Sequence, residues 1–343
     1  MSPNPARLYP NFDAASRAQR RAIFRTAAAS VFGYLRNTST TDMARSMWPD
    51  DDEVRLYTRA AVPPLDTGRY PALTPVRFIS LVAPKSGMAQ VADYCVRLDL
   101  TGLVSIGVPN SVEVPGGVFV GEGNPIPVGQ PLINNSVLGP VRKIGLISGV
   151  SREVQDSSPD NASLLIGRLM GQGISRGLDR KFFSGDNATT DAPAGILNGV
   201  AAIPPAATAA DDVGNIVGAI SDAAVIGETI LCAHPGRAVK LAMTSLAMPL
   251  AIVTSPQITK DMLIGIGVDG FATGFSGTPE FSISKQATVH FNTSALPLVG
   301  PGGTASPQMS SLQQDLLLLK TRIECAWAVV QPGAVQYVSN ITW

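Results

Sequence analysis

Histidine and cysteine, which many catalytic and metal sites use, are scarce in this sequence. Among 343 residues there are two histidines, His234 and His290, although general acid–base catalysis depends on histidine more than on any other side chain. The three cysteines, Cys95, Cys232 and Cys325, lie far apart and match neither a disulfide framework nor a zinc site. We expect them to be buried in a reducing environment. No catalytic, cofactor-binding or metal-binding residue is predicted.

Charge and long apolar runs are also scarce. Charged residues make up 15% of the chain, the formal net charge is zero and hydrophobic residues make up 45%. Soluble proteins usually carry about 25% charged residues, so this composition indicates a surface that other subunits partly cover. A neutral chain gives no argument for nucleic-acid or membrane binding by the whole molecule. No run of about 18 apolar residues and no signal peptide is found, so no membrane partner is predicted.

The motifs that identify most enzymes are missing or misplaced. Gly265–Gly270 matches G-x-G-x-x-G, but the nine residues after it do not favour the helix that a dinucleotide site requires. Cys232 and His234 could form a thiol–base pair, yet His234 directly precedes Pro235, where we expect it to cap a helix. We therefore predict that the chain is not an enzyme. A β-rich enzyme of unrecognised type is kept as the alternative from a different class.

The N-terminal region is basic and predicts a helix. Residues 1–49 contain seven arginines and two acids, and the composition favours a helix at about residues 14–35. Phe24, Ala28, Val31 and Leu35 form an apolar stripe on this helix, which needs a partner surface. The acidic cluster Asp50–Glu53 follows, and then a proline-punctuated segment that we expect to be extended.

The middle of the chain predicts strands and then a long helix. Alternating apolar residues between 91 and 150, broken by Gly and Pro, predict either a long hairpin or an ordinary meander. From Pro159, apolar residues recur every four positions, as Ile166, Met170, Ile174, Leu178 and Phe182. The four glycines of this helix, at 167, 171, 173 and 177, indicate that other backbone packs closely against it. Later helices and strands alternate without regular βαβ spacing, so the fold class is α+β.

Several short motifs occur in an order that resembles a known family. Residues 119–123 read Phe-Val-Gly-Glu-Gly, a β-run ends in Val150–Asp156, the long helix closes with Asp179–Gly185, and Pro-Ala-Gly-Ile-Leu follows at 193–197. Residues 314–334 add two closing strands. This order resembles the tailed-bacteriophage major capsid protein family, whose fold is shared with encapsulins. The resemblance covers about a third of the chain directly.

The resemblance implies a division into five regions. Residues 1–99 would be an N-terminal arm and 100–142 an extended β-hairpin loop. Residues 143–200 would be a peripheral domain with a long spine helix, 201–310 an axial domain, and 311–343 the C-terminal strands of the peripheral domain. Phe119, Glu122, Gly123 and Ile126 of the extended loop are the implied candidates for contact with a neighbouring subunit.

The implied function is that of a shell protein. Pentamers and hexamers of the chain would assemble, without cofactors, in the bacterial host cytoplasm into an icosahedral virion capsid around phage double-stranded DNA. A separate scaffold protein and a portal protein are the expected further partners. Arg17, Arg20, Arg21 and Arg25 are predicted to face the interior and to contact DNA non-specifically or the scaffold. Alternatively, these arginines pair with acids such as Asp50–Glu53 of neighbouring subunits.

Two features separate this chain from some relatives and rivals. Some family members cross-link through a lysine near the loop tip, but residues 121–130 contain no lysine, so no cross-link is predicted. An encapsulin-type nanocompartment shell is the alternative within the same fold, and the long basic arm favours a phage. A tail or fibre protein is disfavoured because the sequence shows no internal repeats.

Overall fold

The structure is a computed structural model. It describes residues 14–59, 86–113, 119, 132–151, 159–223, 225, 227–244, 250–284, 288–289, 299–300, 303–304, 309–311 and 316–343. In the described residues four helices precede the first strand, and the later strands and helices follow without a regular βαβ repeat, which confirms the predicted α+β class.

The helices are α1 (Ala14–Arg36), α2 (Thr40–Met47), α3 (Asp52–Arg59), α4 (Gly87–Tyr94), α5 (Pro159–Phe182), α6 (Ala209–Asp222) and α7 (Pro235–Thr244). The longer strands are β1 (Val96–Asp99), β2 (Ile106–Glu113), β3 (Leu132–Leu138), β4 (Arg142–Ser151), β6 (Thr229–Ala233), β7 (Ala251–Thr254), β8 (Leu263–Gly267), β9 (Phe271–Ser284), β14 (Leu316–Val329) and β15 (Val335–Val338). The short strands are β5 (Ala202–Ile203), β10 (Thr288–Val289), β11 (Val299–Gly300), β12 (Gly303–Thr304) and β13 (Met309–Ser310).

A four-stranded sheet in the order β1-β9-β14-β4 supports the long helix α5. Strand β14 runs antiparallel to both β9 and β4, and β1 runs parallel to β9. The five apolar residues predicted to form the stripe of α5 are each at most 2% exposed, which confirms that stripe.

The glycines of α5 allow close packing, but the packing partners are side chains and not the backbone that the sequence analysis predicted. A Cβ on Gly167 would collide with the Phe24 ring, and one on Gly173 with Leu146. A Cβ on Gly177 would lie 3.1 Å from Ile144 Cδ1. Side chains replace backbone here because α1 and β4 each present large apolar residues to α5.

The partner surface that the N-terminal helix requires lies within the same chain. Phe24, Ala28 and Val31 of α1 are buried, and α1 packs against α5. Leu317 and Leu319 of β14 complete this apolar cluster. The arm helix is therefore part of the packed body of the subunit.

A five-stranded sheet in the order β5-β15-β8-β6-β7 forms the second sheet. Every residue of its strand β8 is buried, and α6 covers it. A Cβ on Gly265 would collide with Ile216 of α6. The glycines of β8 therefore allow the helix to pack closely on the sheet. Thr208 caps α6, since its side chain accepts from the Asp211 N–H, and Asp211 and Asp212 lie in the first turn of the helix.

Strands from different predicted regions pair within the same sheet. Strand β9, in the predicted axial region 201–310, pairs with β14 in the four-stranded sheet, and β1, at the end of the predicted arm, pairs with β9. Strand β15, predicted to complete the peripheral domain, pairs with β8 in the five-stranded sheet. The cause is that one short turn, Val268–Gly270, carries the chain directly from β8 into β9, and another returns it from β14 to β15. Local patterns do not reveal such crossings.

Candidate interaction surfaces

The β2–β3 hairpin is anchored to the four-stranded sheet at its root. Leu100, which precedes strand β2, and Leu138, the last residue of strand β3, are fully buried. Both side chains pack against Gly274 of β9. A Cβ on Gly274 would lie only 2.5 Å from Leu100 Cδ1. Ser136 Oγ donates a hydrogen bond of 2.7 Å to the carbonyl oxygen of Val330. The strands β2 and β3 pair only with each other among the described strands, which confirms the hairpin over the meander.

Apolar side chains are exposed at the root of the hairpin and at Phe119 in the segment between its strands. Val104 is 73% exposed, Val137 is 60% exposed and Phe119 is fully exposed. The other predicted contact residues, Glu122, Gly123 and Ile126, lie outside the described residues. Exposed apolar residues at several positions of one element are typical of a surface that binds another protein.

Arg25 is held by two carboxylates of its own chain. Its Nη1 donates to Asp51 Oδ2 at 2.7 Å and its Nη2 to Asp160 Oδ1 at 2.9 Å. The guanidinium also lies over the Trp48 ring, 5.3 Å from the ring centroid, and the Trp48 indole N–H donates to Asp160. That indole hydrogen bond, with help from Arg25, holds the pKa of Asp160 below its ordinary value. These contacts tie α1 to the first turn of α5.

The four candidate interior arginines are therefore not equivalent. Arg25 pairs with Asp51 of the acidic cluster within one chain, whereas the alternative prediction concerned acids of neighbouring subunits. Arg21 is exposed and lines an open groove with Asp50 and Asp52. Arg17 and Arg20 lie on α1, and the structure describes their backbone but not their side chains. Sequence reasoning missed Asp160 as a partner, although an acid in the first turn of a helix was a visible signal.

Asp179 of α5 is a buried junction that sequence reasoning also missed. Its carboxylate accepts from Ser86 Oγ at 2.5 Å, from Ser255 Oγ at 2.6 Å, and from the backbone N–H groups of Gly87 at 2.8 Å and Met88 at 3.1 Å. Burial raises the pKa of Asp179, and the four hydrogen bonds oppose that shift. The carboxylate caps α4 and joins it to α5 and to the segment after β7.

The residues considered for chemistry have structural roles. His234 Nδ1 accepts from the Gly236 N–H at 3.1 Å, so His234 caps α7 as predicted. The three cysteines are buried as predicted, and burial raises the pKa of Cys95 and of Cys325 to about 12. The G-x-G-x-x-G stretch starts in the buried strand β8 and is followed by β9.

Within the described ranges, no group of three or more His, Cys, Asp or Glu is placed to hold a metal ion. No described helix is long and apolar enough to span a membrane.

Comparison with known proteins decides the family. A family model described as the phage capsid family matches residues 76–249, just over half of the chain. The chain belongs to the phage capsid family. The match includes the hairpin, α5 and the start of the five-stranded sheet, so it covers most of the motifs on which the resemblance was based.

Individual relatives agree with this assignment. The chain is 23% identical to the capsid polyprotein of Pseudomonas phage PAJU2 over 372 aligned positions, covering 94% of this chain and 54% of that protein. It therefore spans only about half the length of that curated relative. Among solved structures, a chain of Mycobacterium phage Adephagia matches with a TM-score of 0.52 and 14% identity, over 75% of this chain and 91% of that chain. A chain of the satellite phage P4 procapsid with size determination (Sid) protein matches with a TM-score of 0.50 and 10% identity, over 80% and 92%. These structures share the fold of tailed-phage capsid proteins.

Proposed function

We propose that the chain is a major capsid protein, which assembles as pentamers and hexamers into the icosahedral shell around phage double-stranded DNA. The observation that carries this proposal is the anchored hairpin. Its root is fixed by Leu100, Leu138 and Ser136, while Val104, Val137 and Phe119 stay exposed. An isolated two-stranded hairpin is only marginally stable in water, so a second surface is expected to cover it.

The length of the hairpin fits contact with a neighbour. Strand β2 has 8 residues, and at about 3.3 Å per residue it extends roughly 26 Å. A two-stranded ribbon of this length can contact a neighbouring subunit. The low charged fraction of the sequence supports the same proposal, because a shell subunit buries much of its surface against copies of itself.

The remaining parts of the proposal follow from this role. The chain has a structural role in the virion and is not an enzyme, and its assembly takes place in the host cytoplasm. Arg17, Arg20 and Arg21 provide the non-specific contact with DNA or scaffold, whereas Arg25 acts within the subunit. A separate scaffold protein and a portal protein complete the assembly.

The first experiment is electron microscopy of the purified chain, together with native mass spectrometry. We expect pentamers, hexamers or closed shells to form without any added metal or cofactor. Small uniform compartments with a foreign enzyme cargo would indicate the encapsulin-type alternative. A stable monomer over a wide range of concentration and salt would contradict the proposal.

A matched pair of variants tests the hairpin itself. Val104→Asp with Val137→Asp places two charges on the exposed apolar surface, and we expect a folded chain that no longer assembles. Thr189→Asp with Thr190→Asp places the same charges on an exposed loop and should assemble normally. Circular dichroism checks that both variants fold. Normal shells from the hairpin variant would contradict its role between subunits.

A further inference from the structure

The side of α5 that faces away from the sheet is exposed and partly apolar. Leu164 is 66% exposed, Leu165 is 43% exposed and Leu169 is 36% exposed. Three exposed leucines on one helix are uncommon, because leucine side chains are usually buried in the core. The opposite side of the same helix is packed with its buried stripe, so the helix needs no second apolar side for its own folding.

The same side of α5 is basic. Arg168, Arg176 and Arg180 are exposed at intervals of eight and four residues, which places them on the side of the leucines. Between residues 161 and 178 the sequence contains no acid, and Asp179 points inward, where four hydrogen bonds hold it. We call this surface the outer face of α5; it consists of Leu164, Leu165, Arg168, Leu169, Arg176 and Arg180.

We propose that the outer face of α5 is the docking site for an acidic amphipathic helix of a second protein. The inference rests on the proposed shell function and names one partner of that shell by its chemistry. Leucines of the partner would cover the three exposed leucines, and its carboxylates would pair with the three arginines. From Leu164 to Arg180 the face is roughly 24 Å long, which a partner helix of about 18 residues matches.

Charge argues against a second copy of this chain as the occupant. Among the described helices, α7 exposes Val239 and Met243 but carries Arg237 and Lys240, which would be repelled. The acidic helix α6 buries Val213, Ile216 and Ile220, and its Val217 is partly buried against the same cluster. Outside α5, no helical side chain that the structure describes is at once large, apolar, exposed and flanked by acids on its helix.

Double-stranded DNA fits the arginines but not the leucines. A phosphate backbone would pair with Arg168 and Arg176, yet it would leave Leu164 and Leu165 in a polar surrounding, with no gain from burial of their apolar surface. An amphipathic helix satisfies both groups at once. The outer face of α5 therefore fits an amphipathic helix better than double-stranded DNA.

The test measures binding of a synthetic probe to the purified full chain. The probe is a fluorescent helical peptide of about 18 residues, with leucines on one side and glutamates elsewhere. Its twin carries lysine in place of every glutamate. Fluorescence anisotropy should show binding of the glutamate probe, with a dissociation constant that increases with salt, and binding of the lysine twin at least about tenfold weaker.

Variants assign the binding to the outer face. Leu165→Ser with Leu169→Ser, and separately Arg168→Gln with Arg176→Gln, should each weaken binding of the glutamate probe about tenfold or more. Val239→Ser with Met243→Ser removes two apolar residues of α7 that are more exposed than Leu165 and Leu169, and it should leave binding unchanged. Equal binding by all variants, or a loss with the α7 variant alone, would overturn the inference.

Two further outcomes would also overturn it. A leucine variant that fails to assemble in the absence of any other protein would show that the face contacts another copy. Tighter binding of a short DNA duplex than of the glutamate probe, lost in the arginine variant, would show a nucleic-acid surface. A wild-type chain that binds the probe but never forms pentamers, hexamers or shells would contradict the proposed function and not the docking site.

Discussion

At the scale of single residues, two carboxylates connect segments that are far apart in the sequence. Asp179 is 2% exposed and accepts hydrogen bonds from residues 86, 87, 88 and 255. Asp160 joins α5 to Trp48 and Arg25. Both carboxylates lie on the same helix, near its two ends. The long helix is thus held at each end by polar contacts and between them by apolar packing.

Loss of the Asp179 carboxylate should be costly, because four donors would lose their acceptor. We expect Asp179→Ala to lower the free energy of unfolding by about 3 kcal/mol, and Asp179→Asn by less, since the amide oxygen still accepts. Urea denaturation measures both values. Asp186→Ala removes an exposed carboxylate whose lysine partner lies 3.5 Å away and should change stability by under about 0.5 kcal/mol. An equally small effect of Asp179→Ala would contradict the role of this carboxylate in joining α4 to α5.

The arginines of α1 should separate into two groups. We expect Arg25→Gln to lower the free energy of unfolding by about 1–2 kcal/mol, because Asp51 loses its charged partner and the stacking on Trp48 is lost. Joint replacement of Arg17, Arg20 and Arg21 by Gln should leave stability and assembly unchanged but reduce retained DNA. Arg45→Gln, at an exposed position of α2, is the control for a general loss of charge. Thermal unfolding and the DNA content of purified particles measure the two effects.

At the scale of elements, periodic patterns predicted the helices well. The predicted helix at residues 14–35 corresponds to α1, Ala14–Arg36, and the buried stripe of α5 was identified residue by residue. Strand partners were not predictable in this way, because β9 and β15 each join a sheet whose other strands are distant in sequence. A strand pattern shows which side chains are buried, but it does not show against which strand they pair. For the same reason, the contacts of Asp160 and Asp179 could not be predicted from the sequence.

The packing of α1 on α5 depends on a small residue at the crossing point. We expect Gly167→Ala to lower the free energy of unfolding by about 1–3 kcal/mol, since the added methyl group would overlap the Phe24 ring. Gly218→Ala is the matched control, because a Cβ there meets nothing within 4 Å and alanine favours α6 by up to about 1 kcal/mol. Denaturant unfolding should therefore show changes of opposite sign. A stabilising Gly167→Ala would mean that Phe24 moves aside without cost.

At the scale of the whole molecule, the two sheets share one core. A single apolar cluster includes Phe271 and Trp327 of the four-stranded sheet together with Ile264 and Val335 of the five-stranded sheet. Phe182 of α5 lies in the same cluster, with its ring centroid 5.4 Å from that of Trp327. The chain also crosses between the sheets at two turns. The subunit therefore presents its hairpin and its outer helix face from one continuous body.

That body is expected to be held to its neighbours without covalent bonds. Some family members link subunits through a lysine near the tip of the extended loop, but residues 121–130 contain no lysine amine that could form such a bond. Assembled particles, boiled in denaturant, should therefore migrate as a single band at 35.8 kDa. Introduction of a lysine by Ile126→Lys is the informative comparison, and larger bands in that variant alone would show that the loop already lies beside a suitable acceptor. Pentamer- and hexamer-sized bands from the unaltered chain that survive reducing agent would show that another residue forms the link.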